Sequence, residues 1–420
     1  MKKYIEPIKE LNIAKEYDVI VCGGGPAGVC AAISAARMGV KTALVEAMGC
    51  IGGIWTAGLM PWVIDCNNKG GIMKEISDRI IKNGFGKIAR GNALVADAEG
   101  MKFLLEEMCL EAGVDIRLHT NIVGAVRNGD TLEQIITESK SGREVWSAEV
   151  FIDCTGDGDV GAFAGCGFDI GKPGTGEMQP MSLIALVSGL KEEEIREYNN
   201  SLPYTDKISP KKKLLKLMEE AGISPSYRSP SLFHVKDDLF LFMTNQEYKV
   251  SGINADDLTK ATLNARKEIH LIVNALKNLG GVWKDMQIVS TAEKIGVREG
   301  RRIHGLYTVK DIDLTEGVTH KDSVCKVTFG FDLHSVSFEK SHLEGKQAKP
   351  YDIPMGALIA KDVKGLLMAG RCISGDFLAH SSYRVTGNAA ALGEAAGRIA
   401  SAAVKYNLST YEISFKDIKQ

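Results

Sequence analysis

"YDVIVCGGGPAGVCAAISAARMG", residues 17–39, is the stretch from which the reading of the whole chain starts. Tyr17 to Gly23 reads as a buried strand, because Val19, Ile20 and Val21 form a continuous β-branched run with no polar alternation. Gly23, Gly25 and Gly28 then follow in G-x-G-x-x-G spacing. The first permits a tight turn, the second lets backbone approach a pyrophosphate, and the third lets the next helix lie close to the sheet. Pro26 suits the first helical turn, where its missing N–H costs nothing. Ala27, Cys30, Ala31, Ser34 and Ala35 recur at helical spacing as a stripe of small residues, and Gly39 ends the helix. A second strand, Lys41 to Val45, runs into Glu46, which stands where an acid accepts hydrogen bonds from an unphosphorylated adenosine ribose. Strand, turn, helix and acid in this order predict a dinucleotide cradle, and Glu46 argues against NADP in it.

Three further signals choose between NAD and FAD. Directly after Glu46 comes "AMGCIGGIWTAGL", in which Gly49, Gly52, Gly53 and Gly58 suggest backbone running closely along a longer ligand. "EVFIDCTGDGDV", residues 149–160, places the tight turn Thr155-Gly156-Asp157 at the carboxyl end of a short apolar strand, Val150 to Asp153. Ligands of open α/β sheets bind at such ends. The strand pair before it offers the backbone of Ile122 or Val123 to an adenine edge. Late in the chain, Leu366 to Ala369 reads as another buried strand, followed by Gly370-Arg371 and Gly375-Asp376, and Gly387-Asn388 opens a helix of small residues. A helix amino terminus aimed at the N1–C2=O edge of a flavin stabilises the negative charge of the reduced ring. An NAD site has no need of that feature, so the three glycine-marked strand ends predict FAD in a cofactor domain split along the sequence.

With those residues in view, the chain resembles the broad FAD-dependent oxidoreductase family of glutathione-reductase-type flavoproteins, distantly similar to fumarate reductase and succinate dehydrogenase flavoproteins. The resemblance is carried by "YDVIVCGGGPAGVCAAISAAR", "IGGIWTAGL", "DCTGDGDVGAFAG", "VREGRRIHG", "PYDIPMGALI" and "AGRCIS…AHSSYRVTGNAAALGEAAG", which span nearly the whole chain. It implies an α/β fold with a glutathione-reductase-like, Rossmann-type FAD-binding domain in two parts, 1–165 and 350–420, around an inserted α+β substrate or cap domain, 166–349. It also implies FAD on Gly23, Gly25, Pro26, Ala27, Gly28, Glu46, Gly52, Gly53, Thr155, Gly156, Asp157, Gly370, Arg371, Asn388 and Ala389. Where relatives commonly carry a Thr-His pair after the AGRxIS strand, this chain has Gly375-Asp376-Phe377, with Asp376 in the place of a ribityl-contacting acid.

The middle region holds no second G-x-G-x-x-G, so a dedicated NAD(P)H domain is not expected. A long helix, Leu258 to Leu279, is predicted from Leu263, Ile269, Ile272, Val273, Leu276 and Leu279 after Asp256-Asp257 as a cap, and a shorter one from Lys212 to Glu220. "VREGRRIHG" gathers Arg298, Glu299, Arg301, Arg302 and His304, either a clamp for a carboxylate or phosphate or an ion-pair network between the two halves. "FGFDLHS" sets Asp332 and His334 on one face if the run is a strand, as base and orienter or as partners that satisfy each other. "AHSSYRVTGN" leads into the helix expected at the flavin. His380 is the candidate for the proton that accompanies hydride transfer, or a structural histidine, and Arg384 the candidate for orienting a substrate oxygen. The catalytic candidates are therefore His380, Arg384, His334 and Arg298.

Composition bounds the remaining possibilities. Lys and Arg number 51 against 53 Asp and Glu, and 45% of residues are apolar. The only basic run, Lys211-Lys212-Lys213 with Lys216, reads as the solvated face of a helix, so nucleic acid is not an expected partner. No apolar stretch approaches a membrane span and the first residues lack the apolar core of a signal peptide, which predicts a cytoplasmic protein. Nine cysteines without a CxxC or other close pair argue against zinc ribbons, cysteine-ligated iron–sulfur clusters and a redox disulfide. The expectation is an enzyme moving a hydride between flavin N5 and a small polar substrate, as a monomer or a homo-oligomer and with no metal. The alternatives are a fumarate-reductase-like reductase of an activated double bond and a flavin-bearing electron-transfer subunit.

Overall fold

The computed structural model describes residues Tyr4, Glu6, 10–334 and 347–419. The β-branched run at its start is the buried end of strand β1 (Ile13–Cys22). β1 lies parallel to β2 (Thr42–Val45), which carries β3 (Asp115–Arg117) at its outer side. The hairpin strands β4 (Asn121–Asn128) and β5 (Thr131–Ser139) lead antiparallel into β6 (Gly142–Asp153), which returns parallel to β1. The sequence suggested a short strand at Val150–Asp153; β6 extends it back to Gly142 because the hairpin gives its polar first half a partner. β5 pairs with that first half, and β7 (Leu366–Met368) pairs parallel with Phe151–Asp153. The seven-stranded sheet therefore reads β3-β2-β1-β6-β5-β4, with β7 beside the end of β6.

Parallel pairing of β1, β6 and β7 brings their carboxyl ends to one edge. The Cys154 N–H donates to Cys22 O at 2.8 Å and the Ala369 N–H to Asp153 O at 3.0 Å, so the three glycine turns leave the sheet side by side. Helices α1 (Pro26–Arg37), the short α2 (Phe377–Tyr383) and the long α3 (Thr386–Tyr406) follow from these turns. α1 and α3 approach so closely that a Cβ on Gly393 would stand 2.0 Å from Ala27 O, and one on Gly397 would stand 2.4 Å from Ala31 O. The small-residue stripes of the two helices exist for this contact.

A second apolar core is built around a four-stranded antiparallel sheet in the order Ser231–Lys236, Leu239–Met243, Ala185–Ser188, Gln287–Thr291. Phe240, Phe242, Ile269, Ile272 and Leu276 are among its fully buried members. The helix Ala255–Asn278 covers this sheet, capped by Asn254, whose side chain accepts from Asp257 N–H. The acids expected as the cap fall in the first turn instead. Leu263 and Leu279, assigned to the apolar stripe, are 60% and 42% exposed, because the buried face runs through Ala261, Ala265, Ile269, Ile272, Val273 and Leu276. All nine cysteines are buried free thiols. Among the described residues, no helix is long and apolar enough to cross a membrane.

The α1–α3 contact makes a prediction whose sign opposes helix propensity. Alanine is favoured over glycine in a helix interior by about 1 kcal/mol. Gly393→Ala nevertheless lowers stability by about 1–3 kcal/mol through overpacking against Ala27, read as a lower urea midpoint.

Candidate active site

The converged turns form one continuous edge. Gly23 has φ +100°, and a Cβ there would strike Cys154 O at 2.5 Å. Gly25, the N-cap residue of α1, has no atom within 4 Å of the same position and faces open space. Glu46 is buried and receives the Gly24 N–H at 2.6 Å and the Met48 N–H at 2.9 Å. Beside it lies a cavity of about 520 Å³ lined in part by Ala47, Met48, Gly49, Cys50 and His119. The Thr120 N–H donates to Glu46 O, which brings β4 to the same end, and a bulge in the β4–β5 register skips Val123 next to Ile122. A bulge leaves backbone groups unpaired.

Gly52 and Gly53, both at positive φ, fold back against Gly24 and Gly25, the Gly52 N–H donating to Gly24 O at 2.7 Å. Asp153, pushed up to about 6 by burial, accepts from Thr155 N–H, Thr155 Oγ1 and Gly161 N–H and so shapes the Thr155-Gly156-Asp157 turn. Arg371 lies along that turn, ion-paired with Asp157 at 2.9 Å. Gly370 meets Ala27 and Ala389, closing the edge between α1 and α3. Val385, the N-cap residue of α3, supplies no side-chain cap, and Asn388 Nδ2 is buried without a protein partner among the described residues. Open space at Gly25, an anchored acid and unused donors beside a helix amino terminus fit an extended dinucleotide.

Five segments distant in sequence meet beyond that helix end. Arg384, between α2 and α3, donates through Nη2 to Asp332 O at 2.8 Å and to Asp332 Oδ2 at 3.0 Å. His334 Nε2 lies 3.4 Å from Asp332, and His334 Nδ1 is 2.6 Å from Gln246 Nε2, itself steadied by the Tyr248 hydroxyl at 2.5 Å. Gln179 accepts from the His334 N–H at 3.2 Å. Arg298 donates through Nη1 to Pro180 O at 2.6 Å and to Ser182 Oγ at 2.9 Å. Burial and then the Arg298 charge push the His334 imidazole down to about 4, so it is neutral at pH 7. Burial favours the neutral Asp332, but the hydrogen bond from His334 and the two guanidinium groups outweigh it and hold the carboxyl well below its ordinary range. Burial, then the like charge of Arg384, push Arg298 down to about 10.

The segment that bears Asp332 and His334 is not the strand anticipated from alternation; residues 331–334 are extended loop, and Ser335 lies outside the described residues. The loop is pinned at its root. Asp65, at φ +57°, accepts from Thr328 N–H, Thr328 Oγ1 and Phe329 N–H, and forms a buried ion pair with Lys69 at 3.3 Å. Ser382 Oγ donates to Phe329 O at 2.6 Å. Nothing in the sequence around Asp65 announced this role.

Of "VREGRRIHG", Arg298 reaches the cluster with its side chain and Glu299 supports it by accepting the Gln179 N–H at 2.9 Å. Glu299 and Arg302 are a fully buried pair whose guanidinium also donates to Gly375 O and Gly171 O. Arg301 holds Asp157 O and Asp159, and His304 pairs with Asp169 at the surface. His380 is apart from His334. It is fully buried in α2, edge-on to Tyr383 at 5.4 Å, and neither ring nitrogen has a hydrogen-bond partner among the described residues. Burial, reinforced by the charges of Arg302, Arg384 and Arg371, holds it well below its ordinary pKa. Asp376, placed by the resemblance at the ribityl chain, caps α2 by accepting from Ala379 N–H at 2.7 Å and ties down Asp311 N–H at 2.8 Å, which leaves each carboxylate oxygen a further lone pair. Gln179, Gln246, Tyr227 and Tyr248 belong to no motif and were missed.

The FAD dependent oxidoreductase family model matches residues 18–420. Among curated proteins, a dihydrolipoyl dehydrogenase of Acholeplasma laidlawii is 30% identical over a region covering 21% of this chain and 39% of that protein. A digeranylgeranylglycerophospholipid reductase of Methanocella arvoryzae is 30% identical over 36% of this chain and 42% of its own length. The chain thus spans less than half of these curated relatives. Among solved structures, a flavin-dependent brominase superposes with a TM-score of 0.53 at 12% identity, covering 96% of this chain and 82% of that one. The myxobacterial chondrochloren halogenase gives 0.50 at 14%, covering 96% and 77%. At such identities the likeness is one of fold.

Two outcomes follow from the geometry. Gly25→Ala leaves the melting temperature of the apoprotein unchanged, since its Cβ meets nothing, and lowers the FAD content measured by absorbance. Below the ordinary imidazole value of 6.5 the unfolded chain binds a proton that folded His334 takes up only near pH 4. Stability present at neutral pH is therefore lost as the pH falls through this window. Urea unfolding of His334→Gln shows a shallower loss there, with His380 keeping part of the slope.

Proposed function

The chain belongs to the FAD dependent oxidoreductase family, and from that premise we propose that it transfers a hydride between FAD and a small polar substrate held by the Arg298–Asp332–His334–Arg384 cluster. When bound, FAD supplies a two-electron acceptor or donor at N5. In this reading the Gly23–Gly28 turn and the amino terminus of α1 hold the pyrophosphate, and Glu46 holds the adenosine ribose. Backbone at Ile122 and Val123 faces the adenine. Gly52, Gly53, Thr155, Gly156, Asp157, Gly370 and Arg371 line the path toward α3, whose first turn with Asn388 and Ala389 receives the ring. The glutathione-reductase-like division expected from the sequence assigns the four-stranded sheet and its helices to the substrate cap.

The observation that carries the proposal is the contact network of Arg384, Asp332 and His334 beside the amino terminus of α3. Arg384 precedes that helix by two residues, so the chain itself delivers the network to the end where the cofactor edge finishes. Arg384 fixes the carboxylate of Asp332, Gln246 and Asp332 fix the two sides of the His334 ring, and Arg298 keeps that ring neutral. In this reading a substrate oxygen replaces Asp332 at the His334 Nε2–H, and the neutral imidazole polarises it from there while Gln246 keeps Nδ1 in place. His334 thus takes the role for which His380 was also a candidate. His380, buried in α2 with neither ring nitrogen hydrogen-bonded among the described residues, is the alternative carrier of the proton that accompanies hydride transfer.

The reverse direction, reduction of an activated double bond, is the second reading. It is favoured by the partial likeness to the archaeal protein named as a reductase.

His334→Gln is expected to lower turnover by about a hundredfold or more, with the flavin absorbance spectrum and FAD content of the wild type. His380→Gln, in soluble protein, is expected to retain turnover within an order of magnitude. Full activity in His334→Gln together with loss in a folded, FAD-loaded His380→Gln would reverse the assignment. Anaerobic mixing with NADH or NADPH, followed at the flavin bands, tests whether a pyridine nucleotide is the electron source.

A further inference from the structure

We propose that the substrate carries a carboxylate and that Arg298 is its seat, with Lys211 at the rim. The inference rests on the site assignment above and narrows the substrate from any small polar molecule to an organic acid.

The charges in the cluster do not balance. Arg298, Arg384 and Lys211 bring three positive charges, whereas Asp332 is bound to Arg384 at 3.0 Å and Glu299, which accepts the Gln179 N–H at 2.9 Å, is already paired with Arg302. His334 is neutral at pH 7. The Arg298 contacts are to a carbonyl and a hydroxyl, both through Nη1. Its Nε and Nη2 have no protein acceptor among the described residues. A guanidinium removed from water and left without a counter-charge is costly, and an arriving anion relieves that cost.

Lys211 was expected on a solvated face. Unlike Lys212 beside it, it is only partly exposed, and the nearby Asp332 carboxylate acts on its ammonium while burial lowers its pKa. It too has no hydrogen-bond or ion-pair partner among the described residues.

The uncharged groups point the same way. Arg384 Nε, Gln179 Nε2 and the Thr244 hydroxyl are buried without a protein partner among the described residues. Thr244 belongs to the same wall, its carbonyl accepting from Tyr227 N–H at 3.3 Å. The cluster offers N–H and O–H groups, and a ligand that answers them brings lone pairs. A carboxylate brings four acceptor positions in a plane that matches the free edge of one guanidinium. An amine would bring donors and a like charge to a place whose carboxylates are already taken, and a polyol would leave Arg298 uncompensated.

The test is binding of malonate to the purified protein, read by thermal shift, with flavin content measured on the same sample. Wild type should show a saturable upward shift that weakens with ionic strength. Arg298→Gln should bind malonate about tenfold to a hundredfold more weakly, and Arg298→Lys should recover part of the loss. Lys211→Gln, on a surface helix and safe for folding, should bind about two- to fivefold more weakly. Equal malonate affinity in wild type, Arg298→Gln and Lys211→Gln overturns the proposal, as does the absence of any shift in wild type. Inorganic phosphate binding more tightly than malonate at the same residues overturns the choice of a carboxylate. The two readouts fail separately: a protein that takes up no FAD refutes the oxidoreductase assignment, whereas full flavin content without a malonate shift refutes only the seat.

Discussion

Strand β6 hydrogen-bonds with β1 along one side and, on the other, first with β5 and then with β7, and the position of every functional segment is set by that shared ladder. Only because Phe151–Asp153 accept Leu366–Met368 as a parallel neighbour does a segment more than two hundred residues later in the chain arrive beside the first glycine turn. The price of this arrangement is proximity: α1 and α3 must share a narrow space over the sheet, and glycine at 393 and 397 is what the backbone atoms of Ala27 and Ala31 allow. Sheet pairing and helix spacing are in this sense one constraint.

The cofactor edge was legible in the sequence for a physical reason. Turns at positive φ, a helix start with Pro26 and a buried β-branched strand each demand particular residue types at fixed local spacing, and local spacing is what a sequence displays. The polar cluster around Asp332 was only half legible. Arg298, Arg384 and His334 stood out as charged residues in short polar runs, but the groups that give them their state do not. Gln179 and Gln246 come from loops flanking the second sheet, and their meeting with His334 is a product of tertiary packing alone. The same limit explains the loop at 331–334. Alternation in "FGFDLHS" suggested a strand, yet Asp332 turns to Arg384 and the backbone N–H of His334 is satisfied by Gln179, so no partner strand is needed. His380, one turn before Arg384, is fully buried in α2 and edge-on to Tyr383, an environment that its stretch of sequence did not display.

Electrostatics ties the two halves of the site together. Arg384 stabilises the ionised Asp332, Arg298 discourages a proton on His334, and burial amplifies both effects because little water screens them. The protonation state of the histidine is thus a property of the whole cluster rather than of the residue.

Asp65 has a consequence of its own. Its carboxylate grips the root of the loop that presents Asp332 and His334, while the carbonyl of its neighbour Ile64 receives the Gly387 N–H in the first turn of α3. One short stretch of chain therefore braces the first turn of α3 and the root of the 328–334 loop at once. An engineer reshaping this scaffold would find that the Asp65 side behaves as a chassis in which any adjustment is felt at both ends.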